Sequence, residues 1–170
     1  MLDHPSRRRI FEFVGEHPGS SARTVQRGLG LGWGETIYHL EQMLEAGLLH
    51  RERGGRRDYY FHSDMLPIDR QLLLVMQSAV ERGLLVELSR SPGLSFGELM
   101  ARLNLGKTTT AFHLKFLVAL GVVDVEVSGP RRRYYVRRPD LVLRLYVSFR
   151  DSFEDRWVDR VSSTLGGLVR

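Results

Sequence analysis

The sequence predicts a mainly α-helical chain with small β-hairpins, arranged as two winged helix-turn-helix domains in tandem and a long C-terminal helix. Three observations predict it. The 170 residues repeat at an offset of 74. Each copy reads as three helices and then a strand pair around a Gly-rich turn. After the second copy, apolar residues recur at steps of three and four.

The offset places residues 7–49 on 81–123. Identical pairs include Arg8/Arg82, Pro18/Pro92, Ser21/Ser95, Thr36/Thr110, His39/His113, Leu40/Leu114 and Gly47/Gly121. Apolar pairs such as Ile10/Leu84, Val14/Leu88 and Val25/Leu99 agree in kind. A fixed-period repeat is the signature of a duplicated unit, and two copies read as two domains of one fold. The boundaries follow: residues 1–64 and 81–138 for the domains, 65–80 for a linker helix, 139–170 for the C-terminal helix.

Within each copy the first helix runs to about Glu16, or Arg90, where a Pro-Gly turn stops it. Ser20-Ser21, or Ser95, then offers an N-cap oxygen to a short second helix. That helix ends in Leu29-Gly30-Leu31-Gly32 or Leu103-Asn104-Leu105-Gly106, a segment suited to a tight turn. A third helix is predicted over Glu35–Ala46 and Thr108–Leu120, with Leu40 and Leu44, or Leu114 and Leu117, at helical spacing. Gly47 and Gly121 stand where a helix C-terminus favours the left-handed region. Strands are predicted over Leu48–Arg53 and Asp58–His62, and over Val122–Val127 and Arg133–Arg137. The run Val122-Val123-Asp124-Val125-Glu126-Val127 has the alternating, β-branched character of a strand. Three helices and a hairpin make a winged helix, whose second and third helices form the helix-turn-helix.

Pro139-Asp140 is a fair helix start. Behind it, Tyr146, Phe149, Phe153, Trp157 and Val161 lie on one helical stripe. Such a stripe is buried either against its own second domain or in a symmetric homodimer contact. Asp151, Glu154, Asp155 and Asp159 alternate with Arg150, Arg156 and Arg160, which reads as a solvated, ion-paired face.

Composition excludes several classes of function. No apolar run approaches the ~20 residues that span a bilayer. The opening Met1-Leu2-Asp3-His4-Pro5 carries no apolar signal region, so a cytoplasmic, nucleoid-associated protein is expected. There are no cysteines, hence no disulfides, thiolate metal sites or cysteine nucleophiles. No nucleophile–base constellation marks an enzyme, and no cofactor is expected. The net charge is +5, a modest excess that suits a polyanionic partner. Residues 1–64 and 140–170 are each balanced, so the whole excess lies in residues 65–139.

Thr36-Ile37-Tyr38-His39-Leu40, Ala46-Gly47-Leu48-Leu49 and Gly55-Arg56-Arg57-Asp58-Tyr59-Tyr60 resemble the recognition helix and wing of ArsR/MarR-type winged-helix regulators. Phe112-His113-Leu114-Lys115, Leu120-Gly121-Val122-Val123 and Arg131-Arg132-Arg133-Tyr134-Tyr135 do the same. The tandem with a long final helix resembles archaeal regulators carrying two such domains. The resemblance covers about residues 3–160. It implies a double-stranded-DNA-binding transcription regulator. The metal-sensing branch of the ArsR family uses cysteine ligands, which this chain lacks.

In a helix-turn-helix the second helix of the motif enters the major groove. Lys107, Thr108, Thr109 and Phe112 would then meet base edges. Lys can donate to guanine, Thr can bond a base edge, and apolar groups can touch a thymine methyl. Lys115, one turn on, suits a phosphate. The predicted reader in copy one carries Glu35, Glu41 and Glu45 instead. The second domain is therefore expected to be the main DNA reader, and the first is left free for a protein partner. Arg56, Arg57, Arg131, Arg132 and Arg133 at the wing tips suit phosphates or a narrow minor groove. Tyr38, His39 and His113 complete the candidate DNA-facing set. Each histidine is alone among apolar neighbours, which argues for a structural or phosphate-touching role over a metal site. One tyrosine of each Tyr-Tyr pair is expected in the core. Gly106-Lys107-Thr108 ends like a phosphate-binding loop, but Ala101 stands where that loop needs glycine. The competing functions are a sequence-independent architectural chromatin protein and a protein-interaction module of the transcription machinery.

Overall fold

A computed structural model describes residues 2–150 and residue 153. The described residues divide into two compact units, one of the residues up to Leu74 with Phe149, Arg150 and Phe153, and one of Val75–Ser148.

The first unit opens with α1 (Pro5–Glu16), which has proline in its first turn, where the missing N–H costs nothing. Ser21 caps α2 (Ala22–Leu29) by accepting the Thr24 amide. Gly30 ends α2 in the left-handed region. The third helix α3 spans Trp33–Glu45. The wing pairs β1 (Leu49–Gly54) with β2 (Arg57–His62), Leu49 opposite His62 and Gly54 opposite Arg57. An isolated antiparallel bridge joins Ser20 to Tyr60 of β2. Then comes α4 (Pro67–Val75), a shorter helix than the 65–80 linker predicted. Residues 76–78 form a turn, and Ala79 already starts the next helix.

The second unit repeats this order. Its elements are α5 (Ala79–Arg90), β3 (Leu94–Ser95), α6 (Phe96–Leu103), α7 (Lys107–Ala119), β4 (Val123–Ser128) and β5 (Arg131–Val136). Ser95 and Glu98 form a capping box on α6, each side chain bonding the other's backbone N–H. Asn104 takes the left-handed position that Gly30 holds in the first unit. Its sheet has the order β3-β5-β4. The third strand β3 was not predicted. It is two residues long, too short for any alternation to show. Helix α8 (Pro139–Ser148) packs on α5 through Leu141, Val142 and Leu145. The remainder of the predicted C-terminal helix, with Trp157 and Val161, lies outside the described residues.

The two cores correspond position by position. Ile10, Val14, Val25, Leu40, Met43, Leu49 and Tyr60 form the first. Leu84, Leu88, Leu99, Leu114, Leu117, Val123 and Tyr134, each 74 residues on, are all buried in the second. Burying one such side chain contributes about 1.5–3 kcal/mol. Both units therefore need the same residue types at the same spacing. Tyr60 and Tyr134 are the buried members of the tyrosine pairs; Tyr59 and Tyr135 are half-exposed.

Candidate nucleic-acid interface

The third helix of each unit, α3 and α7, is pinned at its start by a buried threonine. The Thr36 hydroxyl donates to the Gly32 carbonyl at 2.8 Å, and that of Thr110 to Gly106 at 3.0 Å. Leu114 and Leu117 bury the inner face of α7. Its outer face is thereby fixed. Lys107, Thr108, Thr109, Phe112 and Lys115 are all exposed, Phe112 to 68%. Phe116, a residue the sequence reading did not single out, is exposed to 42% on the same face. Its signal was its spacing, one turn beyond Phe112.

The wing of the second unit sorts its arginines. Arg131 and Arg132 are exposed, beside Gly129 in the left-handed region at the tip. Arg133 is tied back: its Nη1 donates to the Gly93 carbonyl at 2.6 Å and lies 3.9 Å from Glu98. Arg137 forks onto Asp124 with bonds of 2.8–3.0 Å. That guanidinium holds the Asp124 carboxyl below its usual range. Lys107, Lys115, Arg131 and Arg132 have no acidic partner among the described residues.

In the first unit the same positions are occupied differently. Glu35 accepts a bond from the Ser6 hydroxyl at 2.6 Å. Glu41 pairs with Arg51 of the wing at 2.8 Å. The residues 74 positions on are Lys115 and Val125. One unit thus holds an acid–base pair where the other holds a cation and an aliphatic residue. Arg56 and Arg57 are exposed at the wing tip, and Tyr38 is exposed to 59% in the place of Phe112. Arg23 stacks over Trp33 at 4.4 Å, a cation–π contact at the start of α3.

The two histidines also diverge. His113 Nδ1 meets Glu81 Oε1 at 2.5 Å, joining α7 to α5, and Glu81 is only 6% exposed. In the first unit Arg7 stands where Glu81 would be. His39 is 4% exposed and its ring lies 4.5 Å from that of His4. Burial, then the charges of His4 and Arg7, push its pKa down. His39 therefore positions α3 and presents no ring to a ligand. Of the residues of the C-terminal stripe, Tyr146 and Phe149 are half-buried and Phe153 is buried. Among the described residues no three metal-ligating side chains come together, and no helix is long and apolar enough to cross a membrane.

Comparison with known proteins finds two family matches along the chain. Residues 4–73 match a family of N-terminal helix-turn-helix domains. Residues 82–125 match the bacterial regulatory protein family arsR. An uncharacterised HTH-type transcriptional regulator of Methanocaldococcus jannaschii is 27% identical over 136 residues, which cover 80% of this chain and 34% of that protein. The chain thus spans about a third of that relative's length. Among solved structures, a predicted DNA-binding transcriptional regulator from E. coli is 27% identical, with a TM-score of 0.41 over 45% of this chain and 81% of that one. The M. tuberculosis transcriptional regulator MosR is 21% identical, with a TM-score of 0.41 over 59% and 79%. Two separate stretches of the chain thus match helix-turn-helix domain families, the second that of arsR, and the chain is similar to helix-turn-helix transcriptional regulators.

Proposed function

We propose that this chain is a transcription regulator that binds double-stranded DNA and reads it mainly with its second winged helix. One observation carries the reading. Lys107 and Lys115 on α7, and Arg131 and Arg132 at the wing tip, are exposed and have no acidic partner among the described residues. A cation left unpaired by its own domain is available to a phosphate, and each such contact releases counterions from DNA. The corresponding helix of the first unit carries Glu35, Glu41 and Glu45, which a phosphate backbone repels. Arg56 and Arg57 of the first wing are the cations by which that unit would add phosphate contacts. The protein is proposed to act as a homodimer, as most soluble oligomers have two-fold symmetry, with Phe153, buried within its own chain, outside the contact. Two reader helices then fall about one DNA turn apart, on a palindromic site. Such a protein works on chromosomal DNA in the cytoplasm.

The test is a gel shift on genomic fragments at two salt concentrations. Sequence-selective binding is the expected result, and equal retention of every fragment at both salts would favour the architectural alternative. Arg131→Ala with Arg132→Ala should weaken binding to all sequences and lower the salt slope by about 1–2. Thr109→Glu should abolish binding. If both variants bind as the wild type does, the groove assignment is wrong. A second reading rests on the acidic outer face of α3, with Tyr38 at its centre. It assigns the first unit a protein partner bearing basic residues, while the second stays on DNA.

A further inference from the structure

The outward face of α7 has an unusual chemistry for a helix that reads DNA. Opposite the buried Thr110, Leu114 and Leu117, it presents Thr108, Thr109, Phe112, Lys115, Phe116 and Ala119. None of the six is Arg, Asn, Gln, Asp or Glu. The face therefore lacks the forked donors and acceptors that discriminate guanine, adenine or cytosine. Lysine is a point charge that serves a phosphate as well as a guanine. What the face has in quantity is apolar surface, centred on Phe112 and continued by Phe116 and the threonine methyls. An exposed aromatic pair bordered by unpaired cations marks an interaction surface.

On the major-groove edge of a base pair the one apolar group is the 5-methyl of thymine. We infer that the second domain recognises thymine-bearing sites by apolar contact of Phe112 with thymine methyl groups, the lysines and wing arginines holding the register on phosphates. This inference rests on the proposed DNA binding and assigns the class of sequence bound. In the first unit the exposed Tyr38 stands in the place of Phe112, but Glu35 and Glu41, at the places of Thr109 and Lys115, oppose the approach of a phosphate backbone. Direct contacts through phosphates carry no sequence information, so selectivity resides on this helix face, where Phe112 adds apolar contact to the base-edge bonds open to Lys107 and the threonines.

The experiment starts from duplexes that the full-length wild-type chain selects out of a synthetic, unmethylated random pool, in which thymine is the one source of a pyrimidine 5-methyl. A selected duplex is then remade with deoxyuridine in place of thymine, which removes the methyl and leaves pairing unchanged. Affinities come from fluorescence anisotropy. The wild type should bind the deoxyuridine duplex about three- to fivefold more weakly per contacted methyl. Phe112→Ala should lose most of that difference, and Phe112→Leu should keep part of it. A thermal melt checks that each variant folds, which the exposure of Phe112 favours. Equal wild-type binding to both duplexes overturns the inference, as does a full deoxyuridine penalty in Phe112→Ala. Retention of the whole pool without selection overturns the thymine inference and leaves DNA binding standing. Retention of no duplex at all overturns the DNA-binding reading and the inference with it.

Discussion

Lys115→Glu copies into the second unit the acid that the first unit carries at Glu41. In wild-type protein Lys115 is exposed and has no acidic partner among the described residues, so its charge is free to displace a counterion. Each phosphate contact contributes about 0.9 to the salt slope of log affinity. Carried to an ionic strength of about 0.15 M, loss of one contact is roughly a fivefold weakening. The new acid also repels the phosphate it replaces, which brings the total to roughly ten- to thirtyfold. Adding Val125→Arg places a cation at the position of Arg51, which holds Glu41 at 2.8 Å in the first unit. The double variant should therefore recover part of the affinity while its salt slope stays reduced. The assay is a titration of a fluorescent duplex at four or more salt concentrations. The reverse change, Glu41→Lys, removes an exposed pair of small energetic value and should alter affinity little. If Lys115→Glu binds within twofold of wild type with an unchanged slope, α7 does not face DNA. If Glu41→Lys instead gains tenfold, the first unit is the reader.

Three other outcomes follow from the packing. Because burial depresses the His39 pKa, its neutral form belongs to the folded state. That contribution is present above the ordinary value of 6.5 and is lost as pH falls through the folded value. Thermal melts between pH 8 and pH 5 should show the first unit weakening on acidification, and His39→Gln should flatten that dependence; an unaltered dependence refutes the assignment. Ser95→Ala removes a capping box, which should cost about 1 kcal/mol and lower the melting temperature of the second unit by several degrees in calorimetry. Leu117→Ala, at a fully buried site, should cost 2–5 kcal/mol by the usual cavity range. Met43→Ala should cost a similar amount in the first unit, read as loss of its own transition in urea.

The repeat made much of the fold legible. The spacing of Ile10, Val14, Val25 and Leu40 against Leu84, Leu88, Leu99 and Leu114 already named the core, because helical periodicity and burial are the same physical constraint. Element ends were read less well. Trp33 and Lys107 begin α3 and α7 one or two residues before the predicted starts, since an extended glycine and not a capping side chain precedes each. The exposed residues of α7 followed from the same periodicity. What stayed hidden were partners distant in sequence. Glu81 reaches His113 across 32 residues, and Arg133 reaches the Gly93 carbonyl across 40. No local pattern signals such contacts. Arg133 shows the consequence: sequence grouped it with Arg131 and Arg132, and only the fold separates the arginine that braces the wing from the two that extend beyond it. The replacement of Glu41 by Lys115 was visible in the alignment of the copies, but that of Arg51 by Val125 lies beyond the aligned residues 7–49, and its meaning depends on the packing of β1 on α3 that brings residue 51 beside residue 41.

The most direct test of the central claim is photo-crosslinking from a bound duplex in which thymines are replaced by 5-bromodeoxyuridine, whose bromine occupies the place of the methyl, followed by mapping of the attached peptides. The account predicts crosslinks within residues 107–119, centred on Phe112. Crosslinks confined to residues 33–45 would contradict it.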